Sequence, residues 1–237
     1  MNNLTLNNAS MLYDKKHGIQ SITATINFGE ITAIIGPNGA GKTTLIKAIA
    51  GLTPLSDGEI LLSGLSTSSR ICKSQIGYMQ ENLNFYRKMT VYEIMDFICQ
   101  IKFGGRFQEE IEPYLKRYEL FEQRNAYVSA LSMGMKRKLS IIMALIGTPK
   151  LILMDEPTNG IDTYGILQFK NDLIRCIQQG SAVIVTSHVL DFLEKICTRC
   201  IFLRDGVIVQ DIQITNNSQD LDSIYQKIYI MPSTSDD

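Results

Sequence analysis

"IIGPNGAGKTT", residues 34–44, carries three glycines and a proline between an apolar run and a lysine followed by two threonines. So much side-chain-poor backbone fills no core and fits no regular element, so its flanks decide what it is for. Upstream, "ITAII" (31–35) is a nearly continuous β-branched run, the pattern of a strand buried on both faces. Before it, "ITATINF" (22–28) alternates Ile22, Ala24, Ile26 and Phe28 with polar partners, the period of a half-exposed strand, and Gly29-Glu30 make the turn. Downstream, Leu45, Ile49 and Leu52 fall at helical spacing, with Gly51 near the helix end. The order is strand, glycine loop, helix.

In that context Gly36-x-x-x-x-Gly41-Lys42-Thr43 is a P-loop. Phosphate oxygens are stabilised by converging backbone N–H groups and by the positive end of a helix, and side chains would block their approach. Gly36, Pro37, Asn38, Gly39, Ala40 and Gly41 supply that bare cradle, and glycine permits the backbone angles of the wrap. Lys42 reaches the β- and γ-phosphates as a point charge, and the hydroxyl of Thr43, followed by Thr44, is placed to ligate Mg²⁺. The expected ligand is a nucleoside triphosphate with Mg²⁺. A second stretch, "LILMDEP" (151–157), ends a buried strand in two carboxylates. Asp155 is suited to holding Mg²⁺ and Glu156 to polarising an attacking water as general base. Asp155 as a mere helix cap fits poorly after four apolar residues. The chain has no Asn-Lys-x-Asp run to read guanine, which disfavours a GTPase.

Around these two stretches, Thr90 with Glu93 reads as a capping box, and Ile94, Phe97, Ile98 and Ile101 trace one helical face. A second helix covers "EEIEPYLKRYEL" (109–120). A third carries Met135, Leu139, Ile142, Met143 and Ile146 on one side and is stopped by Gly147-Thr148-Pro149. Residues 81–147 therefore read as a helical insertion in an α/β domain. The α/β rhythm resumes with "LILM" and "AVIVT" (182–186) as buried strands, separated by a helix bearing Ile166, Leu173 and Ile177. "CIFLRDGVIV" reads as a hairpin turning at Asp205-Gly206. The polar tail holds a short helix around "DSIYQKIY", and its final "PSTSDD" reads as loose.

Composition sets the outer limits. The 237 residues are 45% hydrophobic and 20% charged with a formal net charge of −1, which suits an ordinary globular chain and disfavours a nucleic-acid binder relying on a broad basic field. No run approaches the roughly 18 apolar residues of a membrane span, so a cytoplasmic protein is expected, with any membrane role supplied by a partner. Five cysteines scattered through apolar segments fit reduced packing thiols better than disulfides. Cys197 and Cys200 lack the second pair that a metal site needs and read as packing thiols on a helix.

"LSMGMKRKLS" (131–140) narrows the class. Ser132 and Gly134 at the start of an amphipathic helix offer a hydroxyl, a bare amide and a helix dipole, a second anion site. One chain does not need two phosphate sites for one nucleotide, but two chains facing head to tail would. The adjoining "MKRK" reads as a solvated helix face. Here the sequence resembles the ABC (ATP-binding cassette) ATPases, whose signature reads Leu-Ser-Gly-Gly-Gln. The resemblance spans nearly the whole chain with the motifs in family order. Gly36 to Thr44 match Walker A, Gln80 the Q-loop glutamine, Leu131 to Met135 the signature and Leu151 to Glu156 Walker B. Asp162 ends a D-loop-like "TNGID", His188 matches the switch histidine, and Tyr13 resembles the aromatic that stacks on adenine, though alone it is equally a strand-end core residue. Met133 and Met135 depart from the signature's Gly and Gln, and "NGID" departs from Ser-Ala-Leu-Asp.

The resemblance implies an α/β P-loop NTPase core with a mixed, largely parallel sheet, an N-terminal antiparallel β subdomain and a helical insertion. It implies one ATPase domain over 1–215 (core 1–80 and 148–210, helical part 81–147) and a tail over 216–237. It further implies ATP hydrolysis in a homodimer or heterodimer, each nucleotide held by Tyr13, the P-loop, Ser132, Gly134 and Asp162. Glu156, His188, Lys42 and Gln80 would act catalytically, with Mg²⁺ on Thr43, Gln80 and Asp155. A separate permease would hold the chain at the inner membrane face. A coupling surface is expected near Gln80 and 82–103, where Phe85 and Tyr86 either meet the permease or anchor the insertion. The sequence looks most like the ATPases of ABC-2-type exporters; an importer ATPase or a soluble non-transport ABC ATPase are the alternatives.

Overall fold

The computed structural model describes residues 3–13, 17–86, 88–214 and 220–230. Two sheets carry the fold. The first joins β1 (Asn3–Leu12), β2 (Gly18–Asn27), β4 (Asp57–Leu62) and β5 (Leu65–Ser66) in the order β2-β1-β4-β5, antiparallel throughout. The second has the order β10-β9-β3-β8-β7-β6 and contains β3 (Ile31–Ile35), β6 (Ile76–Met79), β7 (Leu151–Asp155), β8 (Ala182–Thr186), β9 (Arg199–Arg204) and β10 (Val207–Gln213). Its strands run parallel except β10, which folds back on β9 at Asp205-Gly206.

The apolar runs follow from what lies on each side of this second sheet. Ile31, Ala33 and Ile35, Ile152 and Met154, and Val183 and Val185 face one core, shared with the helices. Ile34, Leu151, Leu153, Ala182 and Ile184 face another, shared with the antiparallel sheet and with α1 (Lys42–Ile49). A strand buried on both faces has no polar positions to alternate with, which is why these segments read as unbroken β-branched runs.

α2 (Arg70–Ser74) precedes β6, and the chain then enters helices. Among the described residues, 81–147 hold α3 (Val91–Phe103), α4 (Ile111–Arg117), α5 (Met133–Leu145) and short 3₁₀ turns, and their one β-bridge is Thr90 with Tyr127. The capping box at α3 is present: Glu93 N–H donates to Thr90 Oγ1 at 3.2 Å, and Thr90 N–H to Glu93 Oε2 at 2.8 Å. α6 (Thr163–Gln178) joins β7 to β8, α7 (Leu190–Glu194) follows β8, and α8 (Leu221–Tyr229) lies in the tail. The expected "PSTSDD" tail lies outside the described residues.

Several sequence expectations are corrected. α3 buries Val91, Ile94, Met95 and Cys99, turning Phe97 and Ile101 outward. α1 ends at Ile49 and leaves Leu52 exposed, because Gly51 turns the chain at φ +64 where the backbone of Thr67 and Ser68 leaves no room for a side chain. The "MKRK" cluster is not a solvated face, since Arg137 and Lys138 are both buried. Cys200 packs in β9 rather than on a helix, and Cys197 lies in the loop before it; both thiols are free and buried.

Candidate nucleotide site

Parallel strands bring their carboxyl ends to one edge, and ligands of such sheets bind in the crevice beyond that edge. Four chemically equipped segments emerge there: the glycine loop after β3, Gln80 after β6, Asp155-Glu156 at the end of β7, and Thr186 at the end of β8. Register sets their heights, because Asp155 pairs with Thr186, Ile34 also pairs with Thr186, and Met79 pairs with Met154. A cleft of about 360 Å³ opens above them, lined by the loop residues Asn38, Gly39 and Gly41 to Thr44, by Asp155, Glu156 and His188, and by Tyr13 on its flank.

The loop is shaped by its glycines. Gly41 caps α1 at φ +102, and a Cβ on Gly36 would stand 2.5 Å from the Leu203 carbonyl oxygen. Pro37 and Ala40 serve as backbone: Lys42 Nζ donates to the carbonyls of Gly36 (2.7 Å) and Pro37 (3.1 Å), and the buried Ala40 gives its carbonyl to Gly206 N–H. Burial lowers the Lys42 pKa, opposed by the nearby Glu156, Asp155 and Glu81 carboxylates. Only the first turn of α1 faces the cleft, so its unpaired amide ends point there.

Thr186 organises the two acids. Its hydroxyl donates to Asp155 Oδ1 at 2.7 Å and accepts the Glu156 N–H at 3.0 Å. That second bond holds Glu156 at φ +51, a costly conformation for a residue with a side chain. His188 Nε2 lies 3.1 Å from Glu156 Oε1, and His188 N–H donates to Oε2 at 3.2 Å. Burial raises the Glu156 pKa above its ordinary value, although His188 and Lys42 pull it down. Asp155 Oδ2 is buried and has no hydrogen-bond partner among the described residues.

With this geometry established, the similarity to known proteins is decisive. The ABC transporter family profile matches residues 19–159, more than half of the chain. The chain belongs to the ABC transporter family, as an ATP-binding cassette. It is 35% identical over 199 residues to the uncharacterized ABC transporter ATP-binding protein YhcH of Bacillus subtilis, covering 82% of this chain but 64% of YhcH. SrtF, a lantibiotic transport ATP-binding protein of Streptococcus pyogenes, is 30% identical over 222 residues, 94% of this chain and 95% of SrtF. Nod factor export ATP-binding protein I of Rhizobium meliloti is 33% identical over 82% of this chain and 59% of its own length. A solved ATP-binding subunit of an ABC transporter superposes with a TM-score of 0.90 at 24% identity, covering 95% of this chain and 99% of the other, a likeness of fold.

Ser132, Gly134 and Asp162, expected at the nucleotide, lie on other loops and do not line this cassette's own cleft. Ser132 caps α5, its Oγ accepting Met135 N–H at 3.2 Å. Gly134 lies against the next loop, where a Cβ would stand 2.8 Å from the Gly160 carbonyl oxygen. Asp162 caps α6 through Gly165 N–H (2.6 Å) and pairs with Lys138 Nζ (2.7 Å). Gln80 is half-buried at the level of Asp155, yet the neighbouring Glu81 rather than Gln80 lines the cleft.

Other contributors were not read from the sequence. Thr186 joins the Asp155 carboxylate to the Glu156 backbone N–H, and its only local signal is a hydroxyl at the end of a buried run. Arg137 donates to the carbonyls of Glu81 (2.8 Å) and Asn159 (3.2 Å), tying the signature helix to the loops after β6 and β7. His17 and Gly18 also line the cleft.

Proposed function

We propose that this cassette binds and hydrolyses ATP as the motor subunit of an ABC exporter, working as a head-to-tail pair that drives a separate membrane permease. The observation that carries this reading is the split placement of anion-binding groups. Lys42, Asp155 and Glu156 share one cleft, whereas Ser132, an exposed Met133 and the first turn of α5 lie outside it. A second copy facing the first supplies the missing half, and each γ-phosphate then bridges two chains. Its loss on hydrolysis removes contacts that favour the closed pair. Export is supported by the similarity to a Nod factor export protein and a lantibiotic transport protein.

Glu156 accepts the proton of the attacking water as its oxygen bonds to the γ-phosphorus. The bond from that phosphorus to the bridging oxygen breaks, Glu156 passes its proton on to the departing phosphate, and ADP and phosphate leave. His188 orients the Glu156 carboxylate, and Lys42 draws the phosphates into the loop. The residues fit Mg²⁺, a hard cation preferring oxygen ligands: Asp155 offers a buried unpartnered oxygen, and Thr43 brings a hydroxyl to the same cleft. Bound with ATP, Mg²⁺ would offset phosphate charge; Thr43 and Asp155 are its proposed holders, and Gln80, which stands outside the cleft here, would join them on turning inward.

The permease surface is proposed on the outer side of α2 and α3. Tyr86 is 65% exposed beside Phe97, while Phe85 packs on the core, so only one of the pair is free to meet a partner. Ile71 and Ile101 line an adjacent groove with Arg70 and Lys73, an apolar floor with a basic rim suited to a cytoplasmic helix, while the Lys102 ammonium beside them is taken up by the Ile76 carbonyl. No helix among the described residues is long and apolar enough to cross a membrane. The proposed location is the inner membrane face, through that permease. The test of the chemistry is Glu156→Gln: ATP binding is retained and turnover lost. Unchanged steady-state hydrolysis would refute the base assignment.

A further inference from the structure

The tail helix α8 reaches back to the root of the nucleotide loop, 194 residues away in sequence. Tyr229 Oη donates its one proton toward the Leu203 carbonyl at 2.7 Å, with the Ile35 carbonyl at 3.2 Å. Both acceptors bear directly on Gly36. The Ile35 carbonyl belongs to the peptide unit that joins Ile35 to Gly36, so fixing its direction fixes how the chain leaves β3. The Leu203 carbonyl forms the wall that leaves Gly36 no room for a Cβ. Gly36 in turn gives its own carbonyl to Lys42 Nζ. An unbroken series of contacts thus runs from Tyr229 through the two strand ends to Gly36 and Lys42.

The helix is held firmly enough to act this way. Leu221 is fully buried, its N–H donates to Glu194 Oε1 at 2.7 Å, and Asp220 caps the first turn through Ser223 N–H at 3.1 Å. The Tyr229 ring sits between Tyr225, 4.6 Å centroid to centroid, and the Arg204 guanidinium, 5.3 Å from the ring. Glu194 ends α7, the helix that follows the His188 loop, so α8 leans on the flanks of both catalytic loops.

We propose that Tyr229 is a positioning residue for nucleotide binding: its hydroxyl clamps the ends of β3 and β9 and so sets the P-loop in its phosphate-receiving shape. The inference rests on the nucleotide-binding reading of that loop and assigns the tail helix a part in it. The clamp acts before chemistry, so its loss weakens binding and leaves the saturated rate alone.

The experiment compares full-length wild type, Tyr229→Phe and Tyr225→Phe. Affinity for MgATP is measured by calorimetry, KM and kcat by steady-state hydrolysis, and hydrogen exchange over 34–44 by mass spectrometry without nucleotide. Losing one hydrogen bond predicts a roughly three- to tenfold weaker Kd and a matching rise in KM for Tyr229→Phe, with kcat unchanged. It also predicts faster exchange at the P-loop amides while β7 stays protected. Tyr225→Phe, which removes a hydroxyl from the same helix, stays within twofold of wild type. Wild-type affinity and exchange in Tyr229→Phe overturn the clamp, as does equal weakening by Tyr225→Phe. A wild-type chain that binds no ATP overturns the nucleotide reading itself, whereas the exchange arm still judges the contact.

Discussion

Thr186→Val removes one hydroxyl from a fully buried β-branched side chain and leaves its shape nearly unchanged. Two bonds go with it. One reaches the Asp155 carboxylate at 2.7 Å, and a hydrogen bond to a charged group contributes about 1.5–3 kcal/mol. The other accepts the Glu156 N–H at 3.0 Å, a neutral bond of about 0.5–1.5 kcal/mol. Together the loss is about 2–4 kcal/mol, since the new methyl returns some apolar contact. For a domain of this size that lowers Tm by roughly 4–16 °C, at about 2–4 °C per kcal/mol. Turnover falls further than stability implies, because Glu156 is then free to leave φ +51; a misplacement costing ~1.4 kcal/mol is tenfold in rate. Thr186→Ser keeps the hydroxyl and loses about 1 kcal/mol for its methyl. Thermal denaturation and steady-state hydrolysis of the three proteins decide the matter. A Val variant within about 0.5 kcal/mol of wild type, or a Ser variant below it, would refute the reasoning.

Glu156 also predicts a pH dependence. Its pKa is raised by burial above the ordinary 4.5, and the proposed base must be ionised to accept a proton, so hydrolysis is expected to fall on acidification at a higher pH than an ordinary glutamate would give. For stability the sign is opposite: the fold favours the neutral carboxyl, a contribution fully present below the ordinary value and lost as pH rises through the raised one. Glu156→Gln therefore melts higher than wild type at neutral pH, and the difference closes below pH 4.5 in a Tm-against-pH series. Met133, 67% exposed on the face proposed to meet the second copy, gives a further test: Met133→Gly, at the first position of α5, lowers the melting of the single chain by no more than the roughly 1 kcal/mol of a helical glycine and raises ATP turnover in the assembled complex.

How far the sequence carried these conclusions varied with the range of the interactions. The strand, glycine loop and helix could be read because each is fixed by its own residues, and the sheet's two covered faces leave their mark as β-branched runs. The capping box at Thr90 and the hairpin at Asp205-Gly206 are equally local. The errors lie where partners are distant. Arg137 and Lys138 read as solvent-facing because helical charges usually are, but their partners stand far off in the chain, at Glu81, Asn159, Glu119 and Asp162. On α3, Ile94 is buried and Ile98 packs on the core as the spacing predicts, but Phe97 and Ile101, equally hydrophobic, face outward. Thr186 became visible only once the register of β7 and β8 set it beside Asp155, and nothing near Tyr229 points toward Gly36.

The central claim is that one nucleotide is gripped by two copies of this chain. The direct measurement is sedimentation of purified Glu156→Gln with and without MgATP, repeated with Ser132→Arg added. The account predicts a dimer that forms only with ATP and is abolished by Ser132→Arg while single-chain ATP binding persists. A protein that binds ATP yet remains monomeric at high concentration, or pairs equally well with Arg at 132, would contradict it.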